Sequence, residues 1–151
     1  MSPDRLWEMF SERISALGGK LAALEDLAAL AGRRAWADAD ALPHLTGIPC
    51  EWVEEIWESE VGFTLGERAV AESGSLLIAN GPGRRRMASL APEIHVCLVP
   101  RLAIVETLEE ALRDLPERSC VLVTGSSRTA DIEGVLVRGV HGPREVWAVP
   151  L

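Results

Sequence analysis

Apolar positions recur along this chain in two registers. Over 4–17 they fall at helical spacing, with Leu6, Met9, Phe10, Ile14 and Leu17 on one face. Ser2 or Asp4 caps the start of this helix, and Gly18-Gly19 ends it. A second helix is expected over 24–32, closing near Gly32. A third is expected over 51–58, with Val53, Ile56 and Trp57 on one face. Beyond residue 60 the register changes. Continuous apolar runs at 76–79, 94–99 and 120–124 predict buried strands. They are stopped by Asn80-Gly81-Pro82-Gly83, by Pro100 and by Gly125-Ser126-Ser127. Weaker strand candidates lie at 34–37, 135–137 and 146–149, with a short apolar run at 103–105 and a helical turn at 86–91. The segment 107–115 reads as a helix with a capping box, Thr107 at the N-cap and Glu110 three residues on. Strands alternating with helices predict an α/β fold: a three-layer α/β/α domain with a mostly parallel sheet.

At 151 residues the chain has the size of one domain, and no repeat or linker divides it. No apolar run approaches the ~18 residues needed to cross a bilayer, and the start has no signal-peptide core. A cytoplasmic protein without membrane insertion is expected. The net charge is −8. All of it falls in residues 1–75, with 14 acids against 6 bases; 76–151 is neutral, with 9 of each. Such a chain repels phosphate backbones, so nucleic-acid binding is not expected. The three cysteines, Cys50, Cys97 and Cys120, lie far apart without metal-ligand spacing. They predict no disulfide framework and no zinc or iron–sulfur site, and no cofactor is expected. Cys97 and Cys120 lie in strand-like runs and read as buried thiols.

Three loops carry most of the unusual residues, and open α/β sheets bind ligands beyond the carboxyl ends of their strands. The first, 70–75, contains AESGS. Glu72 reads either as a nucleophile or base, or as an acceptor for backbone amides. Gly74 permits close approach or positive φ, and Ser73 lies beside it. The second, 81–92, is GPGRRRMASLAP. Its arginines read as a carboxylate or phosphate clamp, or as a solvated turn. Ser89 is its better site candidate. The third, 125–133, is GSSRTADIE, a strand running into a small-residue turn and an expected helical start. Ser127, Arg128 and Thr129 offer donors to an anion there. Asp131 reads as a carboxylate that ties down the loop, and Glu133 sits in a Glu-Gly pair. Just downstream, GVHGP (139–143) holds His141 between glycines, suited to acid–base or recognition work, with Gly142 beside it.

Taken together, AESGS, the GPG…R…S..P..H segment, SRTADIE and GVHGP resemble the LUD domain of LutC/YkgG-type lactate-utilisation proteins. The resemblance runs from about residue 61 to 151. It implies one LUD-type domain over 1–151, with 1–60 a shortened helical N-terminal part and 61–151 the motif-bearing part. Gly66-Glu67-Arg68 departs from the family's Ala-Asp-aromatic pattern. The implied fold is similar to the NagB/RpiA/CoA-transferase group. The implied role is in organic acid metabolism, as an accessory subunit in the oxidation of L-lactate to pyruvate beside iron–sulfur partner subunits. A small carboxylate would sit among the motif loops.

The alternative is an independent small enzyme acting on an organic acid or acyl/CoA-type substrate, with Glu72 or His141 as the catalytic group. Glu72-Ser73-Gly74 is similar to the Glu-x-Gly with which some CoA transferases of this fold class form an acyl-enzyme anhydride. No matching CoA-binding glycine motif accompanies it. Trp52 and Trp57 read as core or as interface, and a homodimer is the base-rate expectation.

Overall fold

In a computed structural model the described residues are 1–84, 86–113, 115, 119–126, 128–130, 136–138 and 142–151. Helix α1 (Pro3–Ala16) starts where the Ser2 side chain accepts the Arg5 N–H, with Pro3 in its first turn. It buries Leu6, Trp7, Phe10 and Ile14, and Gly18 at φ +81° turns the chain out of it. The strands of the first half follow as β1 (Gly19–Leu21), β2 (Arg34–Ala37), β3 (Glu51–Trp52), β4 (Val61–Leu65), β5 (Arg68–Val70) and β6 (Ser75–Ala79). Those of the second half are β7 (Ile94–Val99), β8 (Ile104–Val105), β9 (Cys120–Thr124), β10 (Arg128–Ala130), β11 (Leu136–Arg138) and β12 (Glu145–Pro150). Helix α2 (Leu108–Leu112) lies between β8 and β9, and the Thr107 side chain accepts the Glu110 N–H as its sequence predicts.

The central sheet runs β1-β12-β7-β4-β2-β3, and every neighbour pair in it is parallel. A second, mixed sheet runs β8-β5-β6-β9, and β10 pairs with β11 as an antiparallel ribbon. One face of the central sheet packs Val61, Phe63, Val96, Leu98 and Trp147 against Leu27, Leu30 and Leu45. The other face sets Cys97, Val99, Val146 and Ala148 against α1 and against Ala69, Leu76 and Ile78 of the second sheet. Behind that sheet, Val70 and Leu77 meet Ala111 of α2. The α/β class with a parallel central sheet is therefore as the sequence predicts. One covering layer is itself built partly from strands.

Three local expectations are corrected. Residues 24–32 form a 3₁₀ helix over Leu24–Leu30, not an α-helix. The chain has to re-enter the sheet at Arg34, and Gly32 at φ +76° makes that turn. Residues 51–58 are not a helix. They pair as β3 along β2 and then make one 3₁₀ turn at Ile56–Glu58. A glutamate-rich segment of two turns does not hold a helix alone, and sheet pairing wins. The helical start expected after Ser127 is replaced by strand β10.

Candidate functional site

Two of the motif loops are locked to the end of α1. Gly74 has φ +68°, and a Cβ there would lie 2.8 Å from the Ile14 nitrogen. Gly125 has φ +76°, and its Cβ would lie 2.4 Å from the Leu17 carbonyl oxygen. The Ser126 N–H donates to that same oxygen at 3.2 Å. Register brings the loops together: Ser75 pairs with Thr124 across β6 and β9. Their hydroxyls lie 2.7 Å apart, and the Ser73 hydroxyl donates to Ser75 Oγ at 2.8 Å.

The other loops reach the same region. A cavity of about 230 Å³ is lined by Ser89, Leu90, Val121, Leu122, Val123, Thr124, Gly125, Ser126, Pro143 and Val146. Ser89 and Pro143 precede β7 and β12, so the cavity opens at the amino ends of those central strands. Thr124, Gly125 and Ser126 reach it from the carboxyl end of β9. Its lining is mostly aliphatic, with Ser89, Thr124 and Ser126 as the polar side chains; the Thr124 hydroxyl also bonds Ser75, and that of Ser126 donates to the Leu17 carbonyl at 3.5 Å. Its size is below the ~300–1,000 Å³ of drug-sized sites and suits a small molecule. Larger open grooves of about 660 and 610 Å³ run along α1 and beside Glu67, away from these loops.

Glu72 is exposed, and one of its carboxylate oxygens accepts the Leu108 N–H at 3.1 Å, at the first turn of α2. Glu72 and Ser73 are not among the cavity-lining residues. Gly142 precedes the lining Pro143. Arg128 and Thr129 have their backbone in β10, paired with Arg138 and Val137. Ser127, Asp131, Glu133 and His141 lie outside the described residues.

A second polar cluster, unread in the sequence, sits at the carboxyl ends of β2 and β4. The Arg84 side chain is 11% exposed. Its Nε pairs with Asp40, and its Nη1 donates to Glu67 Oε1 at 2.6 Å and to the Ala79 carbonyl at 3.0 Å. This corrects both expectations for Arg84: it is neither an open clamp nor a solvated turn, but ties three loops together. Charged residues placed directly after strand ends, Asp38 and Asp40 after β2 and Glu67 after β4, were the available signal. Arg84→Met is expected to lower stability by about 1–3 kcal/mol, because it removes the guanidinium that bonds Asp40, Glu67 and the Ala79 carbonyl. Chemical denaturation measures this, and an unchanged midpoint would refute the tie.

Below the cluster, His95 is fully buried, with Nε2 2.8 Å from Thr64 Oγ1. Its Nδ1 has no hydrogen-bond partner. Burial lowers its pKa to about 4, so the ring is neutral at pH 7. An orphaned acceptor is better tolerated than an orphaned N–H, which places the proton on Nε2. Thr64 pairs across the sheet with Cys97, whose thiol burial pushes up to about 12. That thiol is inert at neutral pH. Among the described residues no group of three His, Cys, Asp or Glu is arranged for a metal ion, and no helix is long and apolar enough to cross a membrane.

The parallel central sheet with a mixed sheet on one face, and a small cavity lined by Ser89, Thr124–Ser126 and Pro143, define an α/β protein of the LUD type. The LUD domain profile matches residues 37–149, and the chain belongs to that family. It is 35% identical over 100 residues to lactate utilization protein C of Halalkalibacterium halodurans, covering 60% of this chain and 44% of that protein. It is 36% identical over 95 residues to the protein of the same name from Anoxybacillus flavithermus, covering 60% and 43%. The matches thus span less than half the length of these relatives. In structure the chain is similar to a DUF162 family protein from Deinococcus radiodurans, with TM-score 0.68, 21% identity, and coverage of 99% of this chain and 98% of that one. That likeness shows the fold.

Proposed function

We propose that this protein serves lactate utilisation as an accessory subunit that binds a small carboxylate and works beside iron–sulfur partner proteins in the cytoplasm. The single observation that carries the reading is the sequence similarity to lactate utilization protein C. The cavity supports it chemically: a small 2-hydroxy acid has a methyl-sized apolar end for the valine walls and oxygens for the Ser89, Thr124 and Ser126 hydroxyls. Ser127, Arg128, Thr129, Asp131, Glu133, His141 and Gly142 complete the site in this proposal, with Arg128 as the carboxylate's counter-charge. Ser73 and Gly74 hold the floor of the neighbouring loop. Glu72 already caps α2, which favours a binding role for the site over covalent chemistry at that carboxylate. The test is isothermal titration with L-lactate and with pyruvate. Saturable binding is expected, weakened about three- to tenfold by Ser89→Ala and by Thr124→Val, each of which removes one hydrogen bond. No saturable binding of either acid would overturn the reading.

A further inference from the structure

The open edge of the central sheet carries a surface that the cavity does not use. Among the described residues strand β3 is its last strand and pairs only with β2. The Glu51 N–H donates to the Arg33 carbonyl and the Val53 N–H to the Ala35 carbonyl. Alternation of a parallel ladder therefore turns the Trp52 N–H outward. Trp52 is 40% exposed and Trp57 68% exposed, although indoles are among the costliest side chains to leave in water. Trp52 rests on Phe63 with ring centroids 5.7 Å apart, so it is held in place at the edge. The two segments meet at Arg34, whose backbone pairs with Glu51 and whose Nε donates to the Glu58 carbonyl at 2.8 Å.

The charge around these indoles is one-sided. Residues 51–60 contain five glutamates and no base. Arg33 and Arg34 both turn to Glu60, at 3.3 and 3.2 Å. Glu51, Glu54, Glu55 and Glu58 are exposed and form no ion pair with a described residue. Charges on a short edge strand also serve to blunt it against self-pairing. That purpose needs the glutamates but not two exposed indoles.

From this edge we infer that β3 and the turn after it form a docking surface for an extended segment of a partner protein bearing arginine or lysine. The partner's cations would lie over the indole faces and between the glutamates, and its backbone would meet the outward Trp52 amide. Phosphate-bearing partners are repelled by the same carboxylates. The inference rests on surface chemistry alone and stands apart from the lactate reading.

The probe is a synthetic peptide of alternating Arg and Val, titrated at low salt into the full chain. The readout is the set of indole N–H resonances of its tryptophans. The Trp52 and Trp57 signals are expected to move, and those of Trp7, Trp36 and Trp147 to stay. Trp57→Ala, and separately Glu54→Gln with Glu55→Gln, are each expected to weaken binding about fivefold, the effect of one lost cation–π or ion-pair contact. Glu8→Gln with Glu12→Gln, which removes equal charge from α1, is expected to change it less than about twofold, as a screened distant pair. Absence of binding, movement of the α1 region instead, or equal weakening by the α1 variant would overturn the assignment. Tight binding of the Glu-Val counterpart would overturn it as well.

Discussion

Gly125→Ala is expected to unfold at markedly lower denaturant than the parent, with a loss of about 2–4 kcal/mol. Two costs combine. A side chain at φ +76° costs about 1–2 kcal/mol for any L-residue. The new methyl would also lie 2.4 Å from the Leu17 carbonyl oxygen and 2.6 Å from Leu17 Cβ, so backbone has to move. Gly32 is the internal comparison. It has the same φ, +76°, but a Cβ there meets nothing within 4 Å. Gly32→Ala should therefore cost only the conformational part, about 1 kcal/mol. Urea unfolding of the two variants separates the effects, and equal midpoints would show that the α1 contact does not hold the β9 loop. Gly125 also lines the cavity, so its variant should disturb ligand binding more than Gly32→Ala does.

Acid is expected to destabilise the fold through His95. The folded ring has a pKa of about 4, set by burial, against an ordinary value of 6.5. Between those values the unfolded chain takes up a proton that the folded chain does not. Stability from this residue is thus complete above pH 6.5 and is lost as pH falls toward 4. The loss is about 3 kcal/mol, from about 1.36 kcal/mol per pKa unit. Thr64 sits on Nε2 of the ring and Cys97 is its neighbour across the sheet, and both are neutral, so neither compensates an imidazolium. Unfolding free energies from pH 7.5 to 4 should fall in the parent. His95→Gln should flatten that part of the curve, whatever it does to stability at pH 7. A parallel decline in the variant would assign the acid sensitivity to other groups.

Much of the fold was legible in the residues. The apolar spacing of Leu6, Phe10 and Ile14 describes a helix that buries one face, and α1 does so. The runs at 76–79, 94–99 and 120–124 are β6, β7 and β9; β6 and β7 are buried as expected, whereas β9 and its Cys120 are only partly so, because β9 is an outer strand of the second sheet. Thr107 caps α2 as its hydroxyl chemistry predicts. The misreadings lie where local preference is weak and a neighbour decides. The 51–58 segment has helical spacing, but Arg34 and Ala35 offer it a ladder, and two residues of pairing outcompete an isolated helical turn. The hairpin of β10 and β11 replaces an expected helix start for the same kind of reason: each strand supplies the other's hydrogen-bond partners.

The site divides along the same line. Local chemistry marked the AESGS, GSS and GVHGP loops, because Gly74 and Gly125 adopt a backbone that other residues resist and the hydroxyls cluster beside them. Whether those loops meet is a question of strand order, which periodicity does not contain. Pairing of Ser75 with Thr124 brings two of them together, and the starts of β7 and β12 deliver Ser89 and Pro143 to the same cavity. Long-range pairing also made Arg84 a tie among three loops, where its sequence neighbours suggested an exposed cation. By itself the sequence determined the α/β class, the principal elements and the family motifs, since each rests on side-chain spacing or on the conformational demands of single residues. Only the tertiary structure decided which strand ends carry the cavity, which charges are paired and which tryptophans face water. Those depend on contacts between segments far apart in the chain.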